Sequence, residues 1–479
     1  MNVSVKLRRQ TFKTSRLLEF CSERELTNVC GHPAADWPLV VLKEMTDNAL
    51  DATEESGVAP VINITVEASS VTIADNGPGL PAKTVKDILD YRVRVSSREA
   101  YCSPSRGQQG NALSSIIPMA FVVDGDRGET TIASRGVVHK IAFRVDRLRQ
   151  EPKSEHLVED CPGAKNGTKI TVHWPDVAGY PDGLLSKAKP RFLQIAADTT
   201  WLNPHLSLTV DWNGKRELDI AAAEPEWRKW GPSDPTSAHW YDIARLERYI
   251  AAHVARDQDR SRDRTVREFI AEFRGLSASA KQKVILDDIG AARMSLSEFF
   301  SKEGQPDRKR IGRLLDALKK HTKPVKPPDL GIIGKEYLLQ RVIAAGGAAD
   351  SFQYQKSCGQ TGNGLPFVVE TAFAWCPDGT ESIPGAILRP RWWNQGGRLV
   401  SGTAAGRRII VGANWSVSVG ANPFRSFGAE GEGLETILSN QRAGHAEPII
   451  FLLHLACPRL NFLDRGKSSI SLDERGDKP

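Results

Sequence analysis

Between residues 36 and 80 a helical pattern is followed by two β-branched runs and a glycine-rich turn. In the stretch DWPLVVLKEMTDNALDA, residues 36–52, apolar side chains recur at helical spacing, which predicts a helix with one apolar face. Val61 to Val66 and Val71 to Ala74 alternate polar and apolar residues around a short turn, as a β-hairpin does. A helix beside a hairpin predicts helices covering one face of a mixed sheet, which is an α+β fold.

Two polar residues of the predicted helix suit a magnesium nucleotide. Glu44 and Asn48 stand four positions apart, so their side chains project from one face. Asn48 offers the hard oxygen that Mg²⁺ prefers, and Glu44 can polarise the water that attacks a γ-phosphate. A solvated helix face is the competing interpretation, and the helix taken alone favours it.

A carboxylate and two glycines occupy the turn after the hairpin, in the sequence ADNGPGL of residues 74–80. Gly77 and Gly79 allow the backbone to approach a flat ligand closely. Asp75, at the strand end, can accept the exocyclic amine of adenine, a hydrogen bond that a guanine nucleotide does not make. An Asx turn, in which Asn-Gly serves only local geometry, explains the same residues equally well.

A second glycine-rich stretch, SRGQQGNAL of residues 105–113, precedes another helical pattern. Backbone amides of such a loop bind phosphate oxygens without a Walker lysine, and no GxxxxGKS or GxxxxGKT motif occurs. The candidate phosphate-binding residues are Arg106, Gly107, Gln108, Gln109, Gly110 and Asn111. Asn166-Gly167-Thr168 then opens a strand, and the Thr168 hydroxyl can reach an adenine edge, although a hairpin turn is the commoner explanation.

The length of 479 residues suggests about three domains of about 150 residues each. Residues 1–215 contain the motifs above and form the first predicted domain. A helical middle domain is predicted over residues 216–330, because residues 240–320 show helical periodicity and dense mixed charge and the proline-rich HTKPVKPPDL follows them. Residues 331–479 return to β-rich runs separated by glycine-rich turns. Further strands are predicted at 130–134, 137–145 and 168–174, and within 365–375, 407–419 and 447–460.

Charge, cysteine usage and hydropathy restrict the class of protein. The 64 basic and 58 acidic residues leave a net charge of +6, which permits nucleic-acid contact without requiring it. The seven cysteines form no CxxC pair, and a zinc site at Cys21, Cys30 and His32 lacks a fourth ligand. No stretch approaches the roughly 20 apolar residues of a membrane span. We expect a cytoplasmic protein with reduced thiols and no membrane contact.

Taken in order between residues 44 and 168, the four segments resemble the N-box, G1, G2 and G3 motifs of the Bergerat, or GHKL, ATP-binding fold. Gyrase B, heat-shock chaperones of the ninety-kilodalton class, histidine kinases and MutL share that fold. The resemblance implies an α/β-sandwich ATPase domain that binds ATP and Mg²⁺. It implies Glu44 as general base, Asn48 as magnesium ligand and Asp75 as adenine reader. It also implies that Gly77 and Gly79 form the wall of the pocket and that residues 92–110 form the lid over the phosphates.

Within this superfamily, the motif SRGQQG resembles the corresponding motif of the B subunits of type IIB DNA topoisomerases (topoisomerase VI). Phe273 to Phe300 resembles that family's helix-two-turns-helix insert, with a generic helical hairpin as the alternative. The last third resembles its transducer domain, which has a ribosomal-protein-like fold. There Lys467, in DRGKSSI, matches the switch lysine that reaches the γ-phosphate, and a solvated loop lysine is the alternative.

The chain departs from the family pattern at both ends. The family's transducer continues into a long helix that docks on the A subunit, whereas this sequence stops at Pro479, so either the helix is missing or docking differs. In the family, an N-terminal arm is swapped between the subunits of the ATP-bound dimer. Residues 1–20 correspond to this arm in their position, but no motif in them identifies it.

The resemblance implies that ATP closes a homodimer gate, that Lys467 couples the gate to DNA strand passage, and that a topoisomerase VI A-like partner cuts the DNA. No tyrosine nucleophile with a metal-binding carboxylate cluster is recognisable, and Asp257 and Asp259 are expected on a solvated helix face. Alternatives are a MutL-like or MORC-like DNA-clamp ATPase and a regulatory or defence module that does not hydrolyse ATP.

Double-stranded DNA is expected to contact a basic stretch, since lysine and arginine neutralise phosphates. A solvated charge run explains the same stretch. Its residues are Arg308, Lys309, Arg310, Arg313, Lys319, Lys320, Lys323 and Lys326.

Overall fold

A computed structural model describes residues 22–89, 100–106, 112–125, 128–146, 151–174, 183–302, 305–376, 406–420, 424, 433–444, 447–462 and 470–471. The first domain contains an eight-stranded sheet. Its strands are β1 (Val61–Glu67), β2 (Ser70–Asp75), β3 (Gly128–Ser134), β4 (Val137–Asp146), β5 (Glu151–Asp160), β6 (Thr168–His173), β7 (Ser207–Trp212) and β8 (Lys215–Ile220). Their order across the sheet is β5-β4-β3-β6-β2-β1-β7-β8.

The predicted hairpin and helix are confirmed. β1 and β2 pair antiparallel with Ile64 opposite Ile73, and alternate residues of β1 are buried. β1 also pairs with β7 in parallel, so the sheet is mixed. The helix expected at residues 36–52 is α2 (Trp37–Glu55), with Pro38 in its first turn.

Helices form one layer on this sheet. Those of the first domain are α1 (Glu23–Cys30), α2, α3 (Ala82–Ile88), α4 (Ala112–Asp124) and α5 (Leu184–Leu202). Helix α2 contacts α4 and α5, and the three helices contact β2, β3 and β7 respectively. The predicted α+β class is therefore correct.

Three strands of the sheet were not predicted: β5, β7 and β8. The sequence of β5, EPKSEHLVED, does not alternate polar and apolar residues, and the strand lies exposed at the sheet edge. Pairing with β4, with Ile141 opposite His156, holds it in place. β8 begins at Lys215, so the predicted boundary after residue 215 falls inside a strand of the first sheet.

The middle segment is helical, and three of its helices pack around its last helix. Its helices are α6 (Ile243–Asp259), α7 (Val266–Ile270), α8 (Ser279–Ile289), α9 (Leu296–Phe300) and α10 (Arg308–His321), with a small pair of strands, β9 (Ser301–Lys302) and β10 (Gln305–Pro306). Helix α10 contacts α6, α8 and α9 and buries Ile311, Leu314 and Leu318 among them. Helices α8 and α9 lie within the predicted insert of residues 273–300.

The prediction of a solvated face was wrong for Asp257. Its buried carboxylate accepts hydrogen bonds from Arg264 Nε at 2.5 Å and Nη2 at 3.1 Å. The chain turns back after α6, and this turn places Arg264 beside the C-terminal end of that helix. Helical periodicity in the sequence does not predict such a contact. Asp259 is exposed, as expected.

The last third contains a five-stranded sheet and two helices, α11 (Lys335–Ala344) and α12 (Leu434–Asn440). Its strands are β11 (Gln353–Gln360), β12 (Pro366–Trp375), β13 (Arg408–Ala413), β14 (Ser416–Val417) and β15 (Ile449–Ala456), in the order β11-β12-β15-β13-β14. A separate pair consists of β16 (Asn461–Phe462) and β17 (Ile470–Ser471). Among the described residues, no helix has the length and apolar character needed to cross a membrane.

The edge of this second sheet packs on the first domain. Strand β14 contacts α2 and α5. Arg408 Nη2 donates to Asp198 Oδ1 at 2.6 Å, and both side chains are at most 3% exposed. A Cβ on Gly412 would lie 2.1 Å from Leu202 Cδ1, so β13 and α5 approach as closely as glycine permits. The two sheets therefore share one buried junction.

We expect Asp198→Ala to lower the free energy of unfolding by about 3–5 kcal/mol, because the Arg408 charge would be left in a buried site without this carboxylate. The matched control is Asp219→Ala, since Asp219 pairs with Arg216 at the surface with its side chain 70% exposed. Such surface pairs contribute less than about 1 kcal/mol. Denaturant unfolding measures both losses, and equal values would contradict the role assigned to the buried pair.

Candidate functional site

The face of α2 that carries Glu44 and Asn48 is half-buried. Lys43 Nζ donates to Glu44 Oε1 at 3.0 Å and to Asp47 Oδ2 at 2.9 Å. Burial opposes the charge on Lys43, but the carboxylates of Asp47 and Glu44 raise its pKa above the ordinary value. Within the described residues the Asn48 side chain makes no hydrogen bond, so its amide oxygen is available to a ligand.

Asp75 ends β2 and joins the end of that strand to the start of β6. Its Oδ1 accepts the backbone N–H of Gly77 at 2.8 Å and that of Thr168 at 3.1 Å. Burial raises the pKa of the Asp75 carboxyl, and these two donors oppose the rise. The pairing of β2 with β6 thus brings together Asp75 and Thr168, which are 93 positions apart in the chain.

The glycines beside Asp75 leave no room for side chains. Gly167 donates its N–H to the Gly77 carbonyl at 2.9 Å, and a Cβ on Gly167 would lie 1.9 Å from the Asp75 carbonyl oxygen. A Cβ on Gly79, whose φ is +79°, would lie 2.7 Å from Ser134 Oγ. Close approach and positive φ both require glycine here.

The same turn rests on the C-terminal half of α2. A Cβ on Gly77 would lie 3.4 Å from Thr53 Cγ2. Asn76 serves the turn itself, since its Oδ1 accepts the Val61 N–H and its Nδ2 donates to the Ala59 carbonyl, both at 2.9 Å. Asn76 therefore ties the turn to β1 and the segment before it, whereas the hydrogen bond of an Asx turn is made by Asp75, whose Oδ1 accepts the Gly77 N–H.

The Arg106 side chain is buried among acidic groups. Its Nη1 donates to Asp51 Oδ1 at 3.0 Å and to Glu54 Oε2 at 2.8 Å, and its Nη2 donates to Glu54 Oε1 at 2.7 Å and to Asn203 Oδ1. Lys229 Nζ lies 2.7 Å from Glu54 Oε2. Burial opposes the charge on Glu54, but Arg106 and Lys229 lower its pKa well below the ordinary value. The Arg106 side chain thus anchors its segment to α2, and a phosphate contact of this residue stays a prediction.

Several predicted site residues lie outside the described part of the chain. They are Gly107, Gln108, Gln109, Gly110, Asn111, Lys467, most of the lid at residues 92–110, and residues 1–20. Their assigned roles stay predictions. Within the described ranges, no three His, Cys, Asp or Glu side chains are grouped as a metal site.

Three further residues support this face of α2 and were not predicted from the sequence: Lys43, Asp47 and Ser416. Asp47 is buried, and its Oδ2 accepts both Lys43 Nζ and, at 2.6 Å, the Ser416 hydroxyl. The four-residue spacing of Lys43 and Asp47 was a usable signal for an ion pair on one helix. Ser416 is 369 positions from Asp47, so no local pattern points to it.

We expect Gly167→Ala to lower the melting temperature strongly, because its Cβ would overlap the Asp75 carbonyl oxygen. Gly214→Ala is the matched control, since Gly214 has a similar φ of +75° but nothing within 4 Å of a Cβ. The control carries only the cost of positive φ, about 1–2 kcal/mol. Thermal unfolding of both variants measures the difference, and equal melting temperatures would show that the turn has room for a side chain.

Sequence comparisons identify relatives, although no protein-family model matches the chain. The B subunit of type 2 DNA topoisomerase 6 from Archaeoglobus fulgidus is 24% identical over 454 residues, which is 90% of this chain and 66% of that protein. The protein of the same name from Methanococcoides burtonii is 24% identical over 92% of this chain and 66% of its own length. That from Methanosarcina mazei is 29% identical over 40% of this chain and 31% of its own length. This chain therefore spans at most 66% of these relatives.

Two solved structures are also similar, at lower levels. A structure described as the N-terminal domain of a DNA repair protein has a TM-score of 0.39 and 10% identity, covering 90% of this chain and 87% of the other. The Aquifex aeolicus MutL ATPase domain complexed with ADP has a TM-score of 0.29 and 9% identity, covering 86% and 90%. Structural similarity at this level does not support an assignment to a family, so the comparison rests on the sequence relatives. The chain is thus similar over 90% of its length to the B subunit of type 2 DNA topoisomerase 6, and its fold is of the α+β class.

Proposed function

We propose that this chain binds and hydrolyses ATP as the B-type subunit of a type IIB DNA topoisomerase-like complex. The observation that carries the proposal is the pair of hydrogen bonds from the Gly77 and Thr168 amides to Asp75 Oδ1, beside the helix that carries Glu44 and Asn48. Similarity to topoisomerase 6 B subunits supports the same function.

The residues present fit an adenine nucleotide. Asp75 Oδ1 is engaged by two backbone donors, which orients the carboxylate so that its other oxygen can accept the adenine amine. Gly79 and Gly167 allow the two turns to pack closely behind Asp75, since a Cβ on either would clash with Ser134 Oγ or with the Asp75 carbonyl oxygen, and this packing forms the proposed wall of the base pocket. Thr168, at the start of β6, places a hydroxyl beside the same carboxylate, where its hydrogen bond opposes the rise of the Asp75 pKa that burial causes.

In the proposed reaction Glu44 accepts the proton of the attacking water, and Lys43 holds the Glu44 carboxylate in place. Asn48 would contribute one oxygen to Mg²⁺, which supplies positive charge to the phosphates when bound. The amides of residues 107–111 would hold phosphate oxygens, and Lys467 would contact the γ-phosphate, as the resemblance implies. A single side-chain ligand suits Mg²⁺, because this ion keeps several waters and phosphate oxygens.

The assembly is part of the proposal. The relatives are named as B subunits of a DNA topoisomerase, and from that name we infer an ATP-dependent homodimer, a DNA-cleaving A-type partner and double-stranded DNA. The chain matches at most 66% of the length of those relatives. The complete strand-passage reaction is therefore a proposal that rests on the matched part alone.

We expect Glu44→Ala to reduce ATP turnover by about 100-fold to 10,000-fold, the contribution of a general base. Binding should persist, so ATP should still raise the melting temperature of this variant. Asp75→Asn should abolish that rise, because an amide N–H would face the adenine amine. Glu55→Ala, at the exposed end of the same helix, is the control and should leave both readouts unchanged. Equal turnover in Glu44→Ala and the wild type would refute the assignment of the base.

A basic surface on α10 and the following segment is the proposed contact for DNA phosphates. Two of its arginines are engaged, since Arg308 pairs with Glu247 at 2.8 Å and Arg310 with Asp307 at 3.3 Å. The other exposed cations are Lys309, Arg313, Lys320, Lys323 and Lys326. Lys309, Arg313 and Lys320 lie at exposed positions of α10, whose opposite side is buried, and Lys323 and Lys326 lie in the segment that follows it.

Replacing Arg313, Lys320 and Lys323 together by alanine should flatten the salt dependence of DNA affinity. The slope of log affinity against log salt is expected to fall by about 0.9 for each phosphate that the protein no longer neutralises. A variant with Lys153, Lys165 and Lys215 replaced by alanine removes the same charge from exposed sites of the first domain. Identical slopes in the two triple variants would exclude α10 as the DNA contact.

A further inference from the structure

The turn between β13 and β14 has a backbone conformation that is rare for its residues. Asn414 and Trp415 have φ values of 49° and 61°. The turn between β7 and β8 has the same pattern at Asn213 and Gly214, with φ values of 49° and 75°. There the second residue is glycine, which adopts positive φ freely, whereas a bulky residue in this region is an outlier. The conformation of Trp415 must therefore be held by its surroundings.

Contacts on both sides hold this turn. Trp415 is fully buried. Its backbone N–H donates to His454 Nε2 at 3.2 Å, and its backbone carbonyl accepts a hydrogen bond from Asn203 Nδ2 at 3.0 Å. Asn414 Oδ1 accepts the Cys457 N–H at 2.9 Å. His454 and Cys457 belong to the second sheet and its end, whereas Asn203 caps α5 of the first domain. The turn is thus pinned between the two domains, and its conformation depends on their contact.

The residue after this turn reaches the helix of the candidate site. The Ser416 hydroxyl donates to Asp47 Oδ2 at 2.6 Å. The same oxygen accepts Lys43 Nζ at 2.9 Å, and Lys43 Nζ also donates to Glu44 Oε1 at 3.0 Å. Three hydrogen bonds therefore connect a strand of the last domain to the carboxylate that we assign as the base.

We propose that Ser416 is a positioning residue for Glu44 that acts through Asp47 and Lys43. The proposal rests on the proposed ATP hydrolysis and extends it to communication between domains. When the turn is seated on α2, Ser416 and Lys43 together fix the Asp47 carboxylate, and Lys43 in turn fixes Glu44. When the turn withdraws, Asp47 loses its hydroxyl donor and the geometry of Glu44 relaxes. The seating of the last domain is in this way sensed at the base by a route separate from Lys467.

The test is steady-state ATP hydrolysis by Ser416→Ala. We expect kcat to fall about 10-fold to 100-fold, the cost of misplacing a catalytic group, with the affinity for a non-hydrolysable ATP analogue unchanged. Ser418→Ala is the matched control, because Ser418 is two residues further on and meets Arg191 of the first domain through its backbone carbonyl, which the substitution keeps. Ser416→Thr keeps the hydroxyl and should restore turnover.

Two further readouts separate positioning from a merely structural role. In a Glu44→Ala background, Ser416→Ala should cause no additional loss of turnover, because the two residues act as one unit. Without nucleotide, amide hydrogen exchange in residues 43–48 should be faster in Ser416→Ala than in Ser418→Ala, since the hydrogen bond to Asp47 is removed.

Each outcome has a distinct meaning. Unchanged turnover in Ser416→Ala, with a wild type whose activity depends on Glu44, overturns this inference alone. Additive losses in the double variant, or no rescue by Ser416→Thr, assign Ser416 to structure and also overturn it. A wild type without Glu44-dependent turnover refutes the proposed function, and the inference fails with it.

Discussion

Two backbone turns that are far apart in the chain meet at Gly167, and the candidate site depends on that contact. The Gly167 N–H donates to the Gly77 carbonyl at 2.9 Å, and a Cβ on Gly167 would lie 1.9 Å from the Asp75 carbonyl oxygen. Only glycine permits this approach at a φ of +74°. The contact aligns the ends of β2 and β6, and this alignment gives Asp75 its second amide donor, from Thr168. The assignment of Asp75 to adenine rests on that orientation.

Helix α2 is surrounded on its polar face as well as on its apolar face. Asp47, Asp51 and Glu54 are nearly buried and lie three or four positions apart, so they share one face. Their cationic partners come from different parts of the chain: Lys43 from the same helix, Arg106 from the end of the lid segment, and Lys229 from the segment between β8 and α6. Removing one partner of such a buried pair is costly, so the docking of these segments on α2 is coupled to its charges.

The sequence predicted those elements whose patterns are local. The helix at 37–55, the β1–β2 hairpin and strands β3, β4 and β6 are present where periodicity placed them, within a few residues. β5 was missed because its pairing with β4, and not its own pattern, makes it a strand. Asp257 was assigned to solvent because its partner Arg264 arrives by a turn of the chain. Arg106 was assigned to phosphates, and its side chain lies in a buried ion-pair network.

By itself the sequence determined the chemical inventory: a carboxylate and an amide one helical turn apart, an acidic residue before a glycine turn, and their order along the chain. These follow from residue identity and from spacing within one element, which periodicity reports directly. Tertiary structure alone decided that Thr168 orients Asp75, that Arg106 points into α2, and that Ser416 reaches Asp47. These contacts join residues that are tens to hundreds of positions apart, so they depend on strand pairing and domain docking, which no local pattern encodes.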